Sequence, residues 1–154
     1  MPSPLATLTL AASLLLPPAL SSTPWITAQD ADIVIAGTIG TDDSIFSILC
    51  SVTTGEFWAT YEAAGGSLAD APLALHFVFG DFIEMTDAWQ PHRESGMIVT
   101  RTQRQVMTWI RSALDAETAW FRVEADGQPA RTFATEGLRQ AVEQMTRDCR
   151  GIGI

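Results

Sequence analysis

The 154-residue chain has no lysine, and no arginine precedes Arg93. Its nine positive charges are all arginines, so the net charge of −9 is distributed unevenly. Between Asp30 and His92 there are ten acids and no base, whereas from Arg93 to Arg150 nine arginines face eight acids. Such a chain repels phosphate backbones and anionic lipid, which argues against nucleic acid and membrane surfaces as partners. One-sign charge favours solubility, and it also steers a cationic protein partner.

Cysteine is almost as scarce. Cys50 and Cys149 are alone, without a Cys-x-x-Cys or Cys/His spacing, which excludes a zinc ribbon or dithiol redox motif. The two histidines, His76 and His92, lie far apart and make a poor metal pair. Neither "DFIEMTD" with Asp81, Glu84 and Asp87 nor "TDDS" with Asp42 and Asp43 has the ligand spacing of a calcium loop. There is no Gly-x-Ser-x-Gly elbow, and "AAGGSLAD" lacks the lysine of a phosphate loop. No catalytic residue, metal or cofactor is therefore assigned. The expected class is non-enzymatic, with a hydrolase lacking a recognisable motif as the lesser alternative.

Long apolar runs occur once, in "LATLTLAASLLL" from Leu5 to Leu16. The run is too short to cross a bilayer, and Pro17-Pro18 would end a helix there. With the small residues Ala19 and Ser21 behind it, it reads as a signal peptide over residues 1–21, although "MPSP" supplies no basic side chain. The mature chain is expected to have no membrane span and to be periplasmic or secreted, where two thiols oxidise. A Cys50–Cys149 bond would then close a loop of 98 residues and stabilise the fold by about 4–5 kcal/mol in the chain-entropy model.

The remaining pattern is mostly β. Residues 22–31, "SSTPWITAQDA", have little periodicity and read as an exposed lead-in, followed by a single domain over 32–150. The runs "DIVIAG", "IFSILCSV", "FWATYEA" and "LALHFVFG" are separated by the turn signals "GTDDS", "TTGE" and "GGSLADAP", which predicts antiparallel strands. "EMTDAWQPHRESG" reads as a Pro-interrupted loop, followed by a strand in "MIVTR". Val106, Trp109, Ile110, Ala113 and Leu114 then recur at helical spacing, with Arg104, Thr108, Arg111 and Asp115 opposite. Two short strands, "TAWFRVEA" and "ARTF", flank the turn "DGQ". A closing helix puts Leu138, Ala141, Val142, Met145 and Cys149 on one stripe. Cys50 shares a strand face with Phe46, Ile48 and Val52, so both cysteines belong to apolar faces. The expected class is α+β: an antiparallel sheet or small sandwich with an internal and a C-terminal helix, tied by the disulfide.

Aromatics point to a surface. Trp109 falls on the apolar side of its helix and is expected in the core. Trp58 lies on the strand face opposite Phe57 and Tyr61, and Trp89 falls in the loop before Pro91. Exposed tryptophans among uncompensated acids suit protein recognition, so Asp42, Asp43, Trp58 and Trp89 are the candidate partner-binding residues.

From Met97 to Cys149, a strand, the helix "VMTWIRSAL", the segment "AWFRVEADGQPARTF" and the helix "GLRQAVEQM" form a sequence that resembles the C-terminal half of the invasion-associated locus B family. A similar ending with a final cysteine occurs in small periplasmic proteins associated with type VI secretion. The resemblance implies a secreted bacterial protein with a β-sandwich-like core and no catalytic residues to carry over; the first half has no counterpart in it. A second reading is a lysozyme-inhibitor-like module, which would also be small, secreted, acidic and disulfide-tied, with a cationic target.

Overall fold

The computed structural model describes residues 23–64, 71–81, 83–92 and 94–149. The expected signal peptide at 1–21 lies outside these residues. Among the described residues there are nine strands: β1 (Ile26–Asp30), β2 (Ile33–Ile39), β3 (Ile45–Ser51), β4 (Phe57–Glu62), β5 (Leu73–Phe79), β6 (Ile83–Pro91), β7 (Ile98–Val99), β8 (Trp120–Ala125) and β9 (Arg131–Ala134). Helix α1 spans Gln103–Asp115 and helix α2 spans Leu138–Asp148. The strands join one antiparallel sheet in the order β1-β2-β3-β4-β7-β6-β5-β8-β9.

The sheet curls strongly. β3 and β8 are five positions apart in the sheet, about 24 Å if it were flat at 4.8 Å per strand. Yet the ring centroids of Phe46 on β3 and Phe121 on β8 are 5.2 Å apart, and Phe46 also meets Phe77 of β5 and Phe133 of β9. Inside this curl α1 delivers Trp109, stacked on Phe46 at 4.6 Å and edge-on to Phe121 at 5.1 Å. The helix starts where it does because Thr102 and Gln105 form a reciprocal capping box that satisfies its first amide groups.

Two sequence expectations are revised here. The segment read as an exposed lead-in is mostly exposed, but it is ordered as β1 and preceded by a buried anchor: Trp25 is only 6% exposed. Its indole N–H donates to Ala134 O at 2.8 Å, and its backbone N–H donates to Glu136 O at 2.9 Å. Gly137 makes this approach possible, because a Cβ there would lie 3.0 Å from Trp25 O and its φ is +81°. The start of the described chain is therefore pinned to the entry of α2.

The segment read as a loop around Trp89 is mostly β6. Acids and Pro91 disguise it, yet Glu84, Thr86, Ala88 and Gln90 are exposed while Trp89 is buried, the alternation of a one-sided strand. Pro91 is tolerated because it ends β6, opposite the two-residue strand β7.

Candidate functional site

Cys50 and Cys149 are joined, with Cα atoms 6.1 Å apart, and both are fully buried. Cys50 faces inward from β3, and Cys149 caps the C-terminal end of α2. The bond staples the closing helix to the strand that also carries Phe46 and Ile48. It is a structural link, with no exposed sulfur to offer chemistry.

Asp42 lies in the turn between β2 and β3, where its carboxylate accepts the Arg131 Nε–H at 2.8 Å across 89 positions of sequence. Arg131 is 6% exposed and also donates to Pro129 O at 2.8 Å. Partial burial alone would raise the Asp42 carboxyl, but hydrogen bonds from Ser44 and the Arg131 guanidinium outweigh it and leave it below the ordinary aspartate value. Burial pushes the adjacent Tyr61 phenol up, against the pull of Arg131. Asp42 thus ties the β2–β3 turn to β9. Its side chain is nonetheless 40% exposed, so the candidate charge there is shared with Arg131. Asp43 is exposed at the same turn, with φ of 67°.

Trp89 is removed from the candidate surface altogether. It is fully buried, 5.4 Å from Phe77 and 5.8 Å from Phe46 by ring centroid. The strand alternation that buries it was hidden by the neighbouring proline and acids.

Trp58 stays at the surface. It is half-buried on the outer side of β4 and stands directly opposite Leu49 of β3, which in turn faces Ile35 of β2. Cross-strand partners share a face, so Ile35, Leu49 and Trp58 form an apolar row on the side turned away from the core. Ile26, Ile39 and Ile45, which are 72%, 41% and 38% exposed, lie on this same outer face of β1, β2 and β3. Ile33 completes it. These isoleucines were not singled out from sequence, although one signal was present: in "DIVIAG" and "IFSILCSV" apolar residues occupy both parities of the strand, more than one core face requires.

Charge borders the face. Asp30 is the partner of Ile33 at one end, where Asp32 also sits, and Glu62 is the partner of Ile45 at the other. Asp32 clamps the β3–β4 turn by accepting hydrogen bonds from Ser51 Oγ at 2.6 Å and Thr53 N at 2.8 Å. The Ser51 hydroxyl, then that of Thr53, holds its carboxyl below the usual value. Strands β1 to β4 carry no basic residue. Arg131 approaches from β9 to pair with Asp42, and Arg101 lines a shallow hollow beside β4 with Glu56 and Trp58.

Elsewhere the titratable groups have local roles. His76 Nδ1 meets Thr86 Oγ1 at 2.8 Å on the outer face of β5 and β6, and His92 Nδ1 meets Ser95 Oγ at 3.0 Å. Asp87 accepts from Gln105 Nε2 at 2.8 Å, holding α1 to β6. Among the described residues no group of three or more His, Cys, Asp or Glu side chains is placed to hold a metal ion. No described helix is long and apolar enough to cross a membrane. No protein-family model, curated protein or solved structure matches the chain.

Proposed function

We propose that this is a non-enzymatic binding protein of the bacterial periplasm or exterior, and that the outer face of β1 to β4 receives a cationic protein. One observation carries the reading: three of the exposed large apolar residues, Ile26, Ile39 and Ile45, lie on one sheet face together with the row Ile35–Leu49–Trp58. Isolated exposed apolar residues are ordinary on any protein; a contiguous patch marks an interaction surface. The acids at its ends and the absence of lysine and arginine from its strands favour a basic partner over an acidic one. Export is supported by the leader-like residues 1–21 and by a buried disulfide that needs an oxidising compartment to form. A small-sandwich core of the invasion-associated type is compatible with the curled sheet.

A lysozyme-inhibitor-like role is one specific form of the same reading, favoured by the same charge. Titration with lysozyme and with other basic proteins of similar size, at low and at physiological salt, separates the two. Binding of lysozyme alone supports inhibition, whereas binding of other basic proteins supports a general accessory role. Binding that survives Leu49→Asp and Trp58→Ser together would place the interface elsewhere.

A further inference from the structure

The outer face has a shape that narrows the class of partner. On β2 the outward residues are Ile33, Ile35, Gly37 and Ile39, and on β3 they are Ile45, Ser47, Leu49 and Ser51. Gly37 and Ser47 are direct cross-strand partners at the middle of the strip, so its centre is low and its apolar side chains rise before and after it. The dip is closely built: a Cβ at Gly37 would lie 2.9 Å from Ser47 Oγ and 3.4 Å from Phe46 O. From Ile33 to Ile39 the strip runs about 20 Å at 3.4 Å per residue. Carboxylates stand at both ends, Asp30 and Asp32 beside Ile33, and Asp43 and Glu62 beside Ile39 and Ile45.

The curl of the sheet decides the direction of approach. Across the strands the outer face is convex, so a straight rod laid crosswise would touch only its crest. Laid along β2 and β3, the same rod meets the whole strip, and a saddle of small residues lets its backbone come close. A helix of about 13 residues covers 20 Å at 1.5 Å per residue. We infer that the strip takes a cationic amphipathic helix lying along β2 and β3, apolar side down over Gly37 and Ser47, with basic residues at its two ends meeting the terminal carboxylates. The inference rests on the proposed cationic-partner reading and specifies how that partner is gripped.

The test uses two probes on the full chain. One is a synthetic peptide of about 15 residues, leucine and lysine arranged at helical period; its control has the same composition in alternating order. The other is folded lysozyme. We expect the helical peptide to bind at least tenfold more tightly than the alternating one. Ser47→Trp, which fills the saddle from an outward position, should weaken it at least tenfold while leaving the melting temperature close to that of the parent. Should Ser47→Trp fail to fold, Ile39→Ser with Ile45→Ser removes one end of the strip instead. Asp30→Lys with Glu62→Lys should abolish the gain in affinity at low salt. Lysozyme bound through this face, with helical and alternating peptides equal, would overturn the helix inference and leave the broader reading standing. No binding of either probe overturns both. Dimerisation of the protein through this face, lost in Ser47→Trp, would assign the strip to a second copy and likewise overturn the inference.

Discussion

Leu49 and Trp58 stand directly opposite one another on β3 and β4, both half-buried and both on the side turned away from the core. One residue further along each strand the partners are Cys50 and Phe57, fully buried or nearly so on the other face. The same two strands thus carry apolar side chains on both faces, for different reasons. The inner set is packed, while the outer set is partly open to solvent. Substitution distinguishes them. A half-exposed cross-strand apolar pair is worth roughly 0.2–1 kcal/mol, so Leu49→Ser with Trp58→Ser should cost about 1 kcal/mol in urea unfolding while removing partner binding. A cost of several kcal/mol would show that this row is core.

Trp89 supplies the contrast. Trp89→Ala should destabilise by about 3–5 kcal/mol, the usual range for emptying a buried aromatic site. Trp89→Phe should cost far less than the lost ring volume implies. The Trp89 Nε1–H is buried without a hydrogen-bond partner among the described residues, and phenylalanine removes that orphaned donor. Equal losses for the two variants in chemical denaturation would rule out the relief.

The disulfide closes a span of 99 positions and links the last helix to β3. Cys50→Ala with Cys149→Ala should lower unfolding free energy by about 4–5 kcal/mol in the chain-entropy model. In reductant the parent should melt like the double variant. A reduced parent as stable as the oxidised one would contradict a staple that restrains the unfolded chain.

Acid stability follows from Asp32 and Asp42, both held below the ordinary aspartate value of 3.8. A carboxyl with a depressed folded value adds stability that is present above its unfolded value and is lost as pH falls through the folded one. Urea midpoints should therefore fall below about pH 4, as these two carboxylates take up protons. Asp42→Asn should lower stability at pH 7 and flatten that acid limb; Arg131→Ala should do the same. If Asp42→Asn leaves the pH profile unchanged, the pair with Arg131 is not a source of stability.

Much of the architecture was legible from residue patterns, and the failures share one cause. Turn signals separated β2 to β5 correctly, helical spacing marked the buried faces of α1 and α2, and the apolar parity of Cys50 and Cys149 matched their bond. Trp25 and Trp89 were misplaced because their neighbours are polar or proline, while both owe their burial to distant segments: Trp25 to the β9–α2 junction, Trp89 to Phe77 and Phe46. Of the candidate surface, Trp58 was legible from strand parity alone. Its isoleucine neighbours required the cross-strand register, and the engagement of Asp42 by Arg131 required knowing that the curl brings the β2–β3 turn to β9. Local periodicity carries neither.

The most direct measurement is capture from a periplasmic extract of the protein's own host, comparing the immobilised parent, Leu49→Asp with Trp58→Ser, and Arg104→Ala at two salt concentrations. Arg104 is exposed on α1, outside strands β1 to β4, and serves as the control. We expect one basic protein to be retained by the parent and by Arg104→Ala, to be lost on the face variant, and to elute as salt rises, since exposed charges are screened beyond about 8 Å at physiological ionic strength. Its purified form should reproduce that order in a binding isotherm. Equal retention by the face variant, an acidic partner, or no retention by the parent would contradict a binding role for this surface.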